Sequence, residues 1–352
     1  MNYKAKIEEL ILNVIREGAS DLHLGANRVP AIRVAGELIF LVKHPIFTNE
    51  DIIGILGEVL PKVKLDKFME SQESDFSFDF RGEARLRGNA FFQKGLICVV
   101  FRLVPKVKTI AELHLPPIIA DFARKKQGFF LVVGPVGQGK STTLSAMIDV
   151  INNEQARNII TIEDPIEHVY VPNKSIISQR EVGIDTKDFH VALKSVFRED
   201  VNVIMVGEMR TPETIATAVT AAETGHLVLS TLHTNNASQT IDRIIDSFPG
   251  DQQDQIRTQI ASSLLGILSQ RLLPRITGGL IPAFELLINN NAVSNLIREK
   301  RTHEIDVVIE TGMESGMIDL NHSLIELVRA GEIAIETAYQ CSLNPKGLER
   351  MI

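Results

Sequence analysis

The chain has no tryptophan, only three tyrosines and only two cysteines in 352 residues. Cys98 and Cys341 lie far apart, which excludes a disulfide framework and a four-cysteine zinc site and fits a reducing compartment. Both sit in apolar or mixed stretches and read as buried packing residues. No apolar run approaches the ~18 residues of a membrane-spanning helix. The longest, such as Phe129 to Val133 and Leu96 to Phe101, are strand-sized. There is no block of basic residues, the formal net charge is −7, and aromatics are not interleaved with Lys and Arg. Non-specific nucleic-acid binding needs a basic footprint, so no nucleic-acid partner is expected, although a small basic pore stays open.

What remains is an ordinary globular composition, 44% apolar and 23% charged, at a length that predicts two domains with a core each. Residues 1–18 space Ile and Leu at helical intervals among Lys4, Lys6, Glu8, Glu9 and Arg16. That is an amphipathic helix and lacks the unbroken apolar centre of a signal peptide. Ala31 to Val42 and Ser74 to Arg102 read as strands, with alternation in Asp75-Phe76-Ser77-Phe78-Asp79-Phe80. Thr48 to Leu60 reads as a helix capped by Thr48 or Asn49. Residues 1–104 are therefore expected to form a small α+β domain.

Pro105, Pro116 and Pro117 bracket a weakly patterned segment, and 105–117 is expected to be an interdomain linker. Beyond it, short Val, Ile and Leu-rich stretches (Phe129 to Val133, Asn158 to Ile162, Val201 to Val206, Leu227 to Ser230) alternate with helical ones, including Ser141 to Asn152 and Glu213 to Glu223. This alternation predicts an α/β domain over 118–352 with a mainly parallel sheet buried on both faces. The tail from about residue 290 is expected to be helical.

Gly134-Pro135-Val136-Gly137-Gln138-Gly139-Lys140-Ser141 matches the phosphate-binding pattern G-x-x-x-x-G-K-[ST] at each defined position. It also follows an apolar strand and precedes a helix, as such a loop must. The bare pattern arises by chance in roughly one chain in a hundred of this length. Its glycines let backbone N–H groups close around phosphate oxygens, and the helix N-terminus adds its positive end. Lys140 is placed to reach the β- and γ-phosphates and Ser141 to hold Mg²⁺, with Thr142 included in the site. The loop alone does not separate ATP from GTP.

Three further stretches follow strands. Val203-Ile204-Met205-Val206-Gly207-Glu208 ends a strand on an acid, and such an acid contacts the Mg²⁺ shell through water. Thr161-Ile162-Glu163-Asp164-Pro165-Ile166-Glu167 puts three acids at a strand exit, where Glu163 can act as general base on the attacking water. Thr224 to Thr234 puts His226 and His233 at opposite ends of another strand, with no zinc-type spacing. For His233 the expected role is sensing the γ-phosphate or bridging to a neighbouring subunit; for His226 functional and structural roles stay open.

This set, in this order, resembles the secretion-ATPase superfamily and within it the type IV pilus retraction branch. The likeness runs nearly end to end, including Ala19-Ser20-Asp21-Leu22-His23-Leu24, Ala84 to Phe91, and Asn295-Leu296-Ile297-Arg298-Glu299. The resemblance implies a PAS-like N-terminal domain, a RecA-like ATPase domain and a homohexamer. It implies that Glu163 is the catalytic glutamate and Glu208 the Walker B acid, and that Arg87 and Arg102 are arginine fingers reaching another subunit's site. Arg85 is the rival to Arg87, since alternation sends both to one face. The implied activity is ATP hydrolysis, with ATP and Mg²⁺ as cofactors. The implied work is pilus retraction and twitching motility against an inner-membrane platform protein, from the cytoplasmic face of the membrane. Extension and secretion relatives usually carry an extra N-terminal domain and a zinc insert, which this chain is expected to lack. Pilus extension, DNA translocation and nucleotide-dependent scaffolding without turnover are the competing functions. Ser294 stands where the branch has an arginine, Gln138 where serine is usual, and Arg210-Thr211-Pro212-Glu213 where Arg-Asp-Leu-Glu is common.

Overall fold

A computed structural model describes residues 2–34, 36–82, 84–104 and 107–351. Pro105 and Lys106, the start of the expected linker, lie outside the described residues. The chain forms two compact units, one of residues 1–106 with 167–169, the other of 107–166 with 170–352.

In the first unit, helix α1 (Tyr3–Arg16) buries Ile7, Leu10, Ile11 and Val14 and turns its charges outward. Strand β1 (Asp21–Gly25) follows, then β2 (Ala31–Val34) and β3 (Glu37–Phe40), so the strand-like stretch from residue 31 to 42 is a hairpin. Helix α2 (Asn49–Val59) starts at Thr48, whose hydroxyl accepts from Asp51 N while the Asp51 carboxylate accepts from Thr48 N; the reciprocal bonds satisfy two orphan donors. After α3 (Lys62–Ser71), the stretch 74–102 resolves into the antiparallel strands β4 (Glu73–Phe80), β5 (Ala84–Gln93) and β6 (Leu96–Val104). The six-stranded order is β3-β2-β1-β6-β5-β4. One core joins α1 and α2 to Leu22, Ile32, Leu86, Val99 and Phe101 of the sheet.

The second unit begins with turns at 107–115 that bury Ile110 and Leu115 in its own core, then α4 (Ile118–Ala123). The chain continues through β7 (Gly128–Val133), α5 (Lys140–Glu154), β8 (Asn158–Glu163), β9 (Ile176–Glu181), α6 (Phe189–Val196), β10 (Val203–Val206), α7 (Pro212–Glu223), β11 (Leu227–Leu232), α8 (Ala237–Asp246) and α9 (Gly250–Ser263). The long strands β12 (Leu264–Pro274) and β13 (Leu280–Ile288) form an antiparallel hairpin. The helices α10 (Asn291–Arg298), α11 (Ile305–Thr311), α12 (Leu320–Arg329), α13 (Ile335–Cys341) and α14 (Pro345–Glu349) complete the helical tail. The seven-stranded order is β13-β12-β7-β11-β10-β8-β9, parallel except for β13.

Strand β7 shows why these runs are apolar throughout. Phe129, Leu131 and Val133 enter the core on one face of the sheet, and Phe130 and Val132 enter the core on the other. Among the described residues no helix is long and apolar enough to cross a membrane.

Candidate functional site

The parallel strands β7, β8, β10 and β11 are contiguous in the sheet, so their C-terminal ends share one edge. Crevices at that edge are where open α/β sheets bind ligands. The four motifs leave these strands: the glycine loop after Val133, Glu163 at the end of β8, Glu208 after Val206, and His233 after Leu232. Distant stretches of sequence are thus brought to one place by the strand order alone.

The loop turns on Gly137 and Gly139 at φ +78° and +74°, values that side chains with a Cβ rarely adopt. Gly139 is the N-cap of α5 and supplies no side-chain hydrogen bond, so the first N–H groups of that helix have no capping side chain and can donate to an anion. The Lys140 side chain is buried at 7% exposure, and its ammonium donates to the carbonyls of Gly134 at 2.9 Å and Pro135 at 2.8 Å. It also lies 3.2 Å from His233 Nδ1. Ser141 and Thr142 are half-buried in the first turn of α5.

Glu163 is 6% exposed, and its carboxylate accepts from Thr161 Oγ1 at 2.6 Å and Gln179 Nε2 at 3.2 Å. Of the other acids at that strand exit, Asp164 is exposed and Glu167 half-buried. Glu208 Oε2 lies 3.6 Å from His233 Nε2, and Oε1 pairs with Arg210. One imidazole therefore faces the loop lysine with one nitrogen and the strand-end glutamate with the other. His226 lies at the opposite end of β11. Its Nδ1 is 3.0 Å from Ala221 O, and its ring stands edge-on to Phe197 at 5.7 Å.

Arg87 and Arg102 are register partners on β5 and β6 of the first unit. Arg102 Nε donates to the buried Asp21 at 2.8 Å, and Ser20 Oγ donates to the other carboxylate oxygen. The guanidinium and the hydroxyl hold the Asp21 carboxyl below its ordinary value against the opposing effect of burial. Arg87 Nη1 lies 3.5 Å from Glu167, in the short segment grouped with this unit. Arg85 donates to Ser77 Oγ at 2.8 Å.

Sequence reasoning did not single out Arg210, Thr161 or Gln179. Thr161 was legible, because two residues before Glu163 on a strand is the same face. Gln179 was not, since only the β8–β9 register sets it beside Thr161. The unusual Arg210-Thr211-Pro212-Glu213 has a local explanation: Thr211 caps α7 through Thr214 N, and Pro212 occupies its first turn. Ser294 Oγ donates to Ala261 O at 2.8 Å and Asn289 Oδ1 at 3.1 Å, tying α10 to the end of α9. Cys98 is buried and receives Arg28 Nη2 at 2.7 Å, while Cys341 is only half-buried.

A phosphate loop between strand and helix, with two acids and a histidine at the ends of the neighbouring strands, defines a P-loop ATPase. Residues 3–280 match the family model described as type II/IV secretion system protein. The type IV pilus retraction ATPase PilT of Pseudomonas aeruginosa is 42% identical over 341 residues, 97% of this chain and 99% of that one. A twitching motility protein of Neisseria gonorrhoeae is 44% identical over 321 residues, 91% of this chain and 86% of that one. A crystal structure of the pilus retraction motor PilT with bound ADP superposes at a TM-score of 0.92 with 46% identity, covering 98% of this chain and 99% of that one. The chain belongs to the type II/IV secretion system protein family, as a nucleotide-binding secretion ATPase of the PilT kind.

Proposed function

We propose that this chain is a homohexameric motor that hydrolyses ATP to power type IV pilus retraction, docked on an inner-membrane platform protein at the cytoplasmic face. The observation that carries the reading is the contact chain Lys140–His233–Glu208. It joins the phosphate loop to two neighbouring strand ends, in a chain alike over nearly its whole length to a retraction ATPase.

In this reading the α5 N-terminus and Lys140 hold the β- and γ-phosphates, whose charged oxygens are stronger acceptors for the ammonium than the Gly134 and Pro135 carbonyls. Glu163, oriented by Thr161 and Gln179, takes the proton of the attacking water. His233 relays the position of the phosphate-binding lysine to Glu208. Mg²⁺ fits the donor set: the Ser141 hydroxyl is a hard oxygen ligand in the first turn of α5, and Glu208, with Arg210 and His233 already on its oxygens, would contact the ion through water. When bound it would neutralise charge on the transferring phosphoryl group. Arg87 and Arg102 are assigned as fingers supplied to another subunit's site, which would couple turnover to assembly. The assignment divides the chain into an N-terminal domain of 1–104, a linker of 105–117 and an ATPase domain of 118–352.

The test is expression in a piliated bacterium that lacks its own retraction ATPase, scored for twitching and for shortening of single pili. Restored retraction that disappears with Glu163→Gln is the expected result. No retraction in this host, with surface pili restored in a second host that lacks its extension ATPase, would make the chain an extension ATPase instead. ATPase activity stimulated by DNA, with neither pilus phenotype, would point to translocation.

A further inference from the structure

Strand β12 is the parallel neighbour of β7, on the side away from β11, and no motif drew attention to it. Its Gln270 is 3% exposed, and both atoms of its amide are hydrogen-bonded to the phosphate-loop region. Thr143 Oγ1 donates to Gln270 Oε1 at 2.7 Å, and Gln270 Nε2 donates to the carbonyl of Gln138 at 2.7 Å. A backbone carbonyl can only accept, so the amide orientation is determined. The contact is reciprocal one residue pair on: Leu272 N donates to Gln138 Oε1 at 2.5 Å. Gln138 is thus held by backbone and side chain together.

Close approach supports the same view. A Cβ on Gly134 would lie 2.5 Å from Gln270 O, and one on Gly139 would lie 3.1 Å from Gln270 Nε2. Both ends of the loop are therefore packed against this one residue, and Gly134 is required by β12 whatever the phosphate needs. On either side of Gln270, Ser269 Oγ and Arg271 Nη2 donate to Asn235 O, two residues past His233.

We propose that Gln270 is a positioning residue for nucleotide binding, acting on the phosphate loop through Gln138 and Thr143. A loop so held is pre-organised, and binding does not have to bear the cost of ordering it. The proposal deepens the assignment of residues 134–141 as the nucleotide site and rests on it.

The test titrates the full-length protein with ADP and follows melting of each variant in parallel. Gln270→Ala is expected to weaken ADP binding about tenfold and Gln138→Ser about threefold, the range for one or two hydrogen bonds. The double variant is expected to fall short of the product, because both bonds hold the same residue. Thr143→Val, which deletes the donor to Gln270 Oε1, should weaken binding more than Thr143→Ser, which keeps it. These comparisons stand if Gln270→Ala does not fold. A structural role alone would lower melting temperature and leave ADP affinity of the folded protein unchanged. Folded variants binding ADP within about twofold of the parent would therefore overturn the proposal. If Lys140→Ala also binds ADP normally, the nucleotide-site assignment itself fails; if only Lys140→Ala loses binding, the positioning role alone is wrong.

Discussion

Lys140 and Glu163 are both buried charged residues, yet their surroundings fit them to different tasks. Lys140 faces carbonyls and His233, so its ammonium is aimed at a place where an anion can bind. Replacement by alanine is expected to weaken nucleotide affinity by at least about tenfold, the scale of a charge-assisted hydrogen bond. Glu163 is oriented by two donors, the Thr161 hydroxyl and the Gln179 amide. Glu163→Gln keeps the size of the group and an oxygen to accept from Thr161, so binding should change little. Turnover should fall by about 10²-fold or more, the usual loss of a general base. Nucleotide titration and phosphate release, measured on the same preparations, separate the two effects; normal turnover in Glu163→Gln would remove the base assignment.

Among the elements, α8 is held at its start by a carboxylate from another strand. Glu285 on β13 is 7% exposed, and its Oε1 accepts from Ala237 N at 2.8 Å. Burial pushes its pKa up to about 7, helped by Asp306 and Asp319 and opposed by the Ala237 bond and Arg271. In the unfolded chain the group titrates near 4.5. The folded state therefore holds the proton more tightly, and the stability this contributes is present below about 4.5 and lost as pH rises through about 7. Glu285→Gln keeps the acceptor for Ala237 and removes the titration. Its melting temperature relative to the parent should rise between about pH 5 and about pH 8, with a free-energy ceiling on the order of 3 kcal/mol. A pH-independent difference would show that Glu285 stays protonated or is solvated.

The same scale shows what a sequence can and cannot reveal. Strands β7, β8, β10 and β11 were legible because each is a short run buried on both faces, and the phosphate loop because its geometry is local. Helix α3 escaped notice because it buries only Phe68 and so has no apolar stripe to read. The hairpin β12–β13 escaped because Ser269, Gln270 and Arg271 interrupt its apolar run, and those polar residues are buried or half-buried against two site loops. Their partners, Gln138 and Asn235, lie far away in the chain. The Lys140–His233–Glu208 contacts likewise depend on strand order, which no spacing encodes.

For the whole molecule, the open matter is whether a single chain carries a complete site. Arg87 and Arg102 stand side by side across β5 and β6, a placement that costs repulsion unless carboxylates compensate. Asp21 and Glu167 do so, leaving Arg102 69% exposed on its side chain. An exposed guanidinium fixed at its Nε by a buried carboxylate is suited to presenting its outer nitrogens to an anion. If that anion is a neighbour's phosphate, Arg87→Ala and Lys140→Ala each inactivate a pure assembly, since every site lacks one partner. Co-expressed in equal amounts and mixed at random, they would pair an intact Lys140 with an intact Arg87 at about one quarter of the sites. Phosphate release should then recover to a fraction of that order in the co-assembled protein. If the arginine instead serves its own chain, every subunit carries a lesion in its own site and mixing recovers nothing. The two arrangements thus differ between a measurable rate and none, at equal protein and with both variants confirmed to assemble.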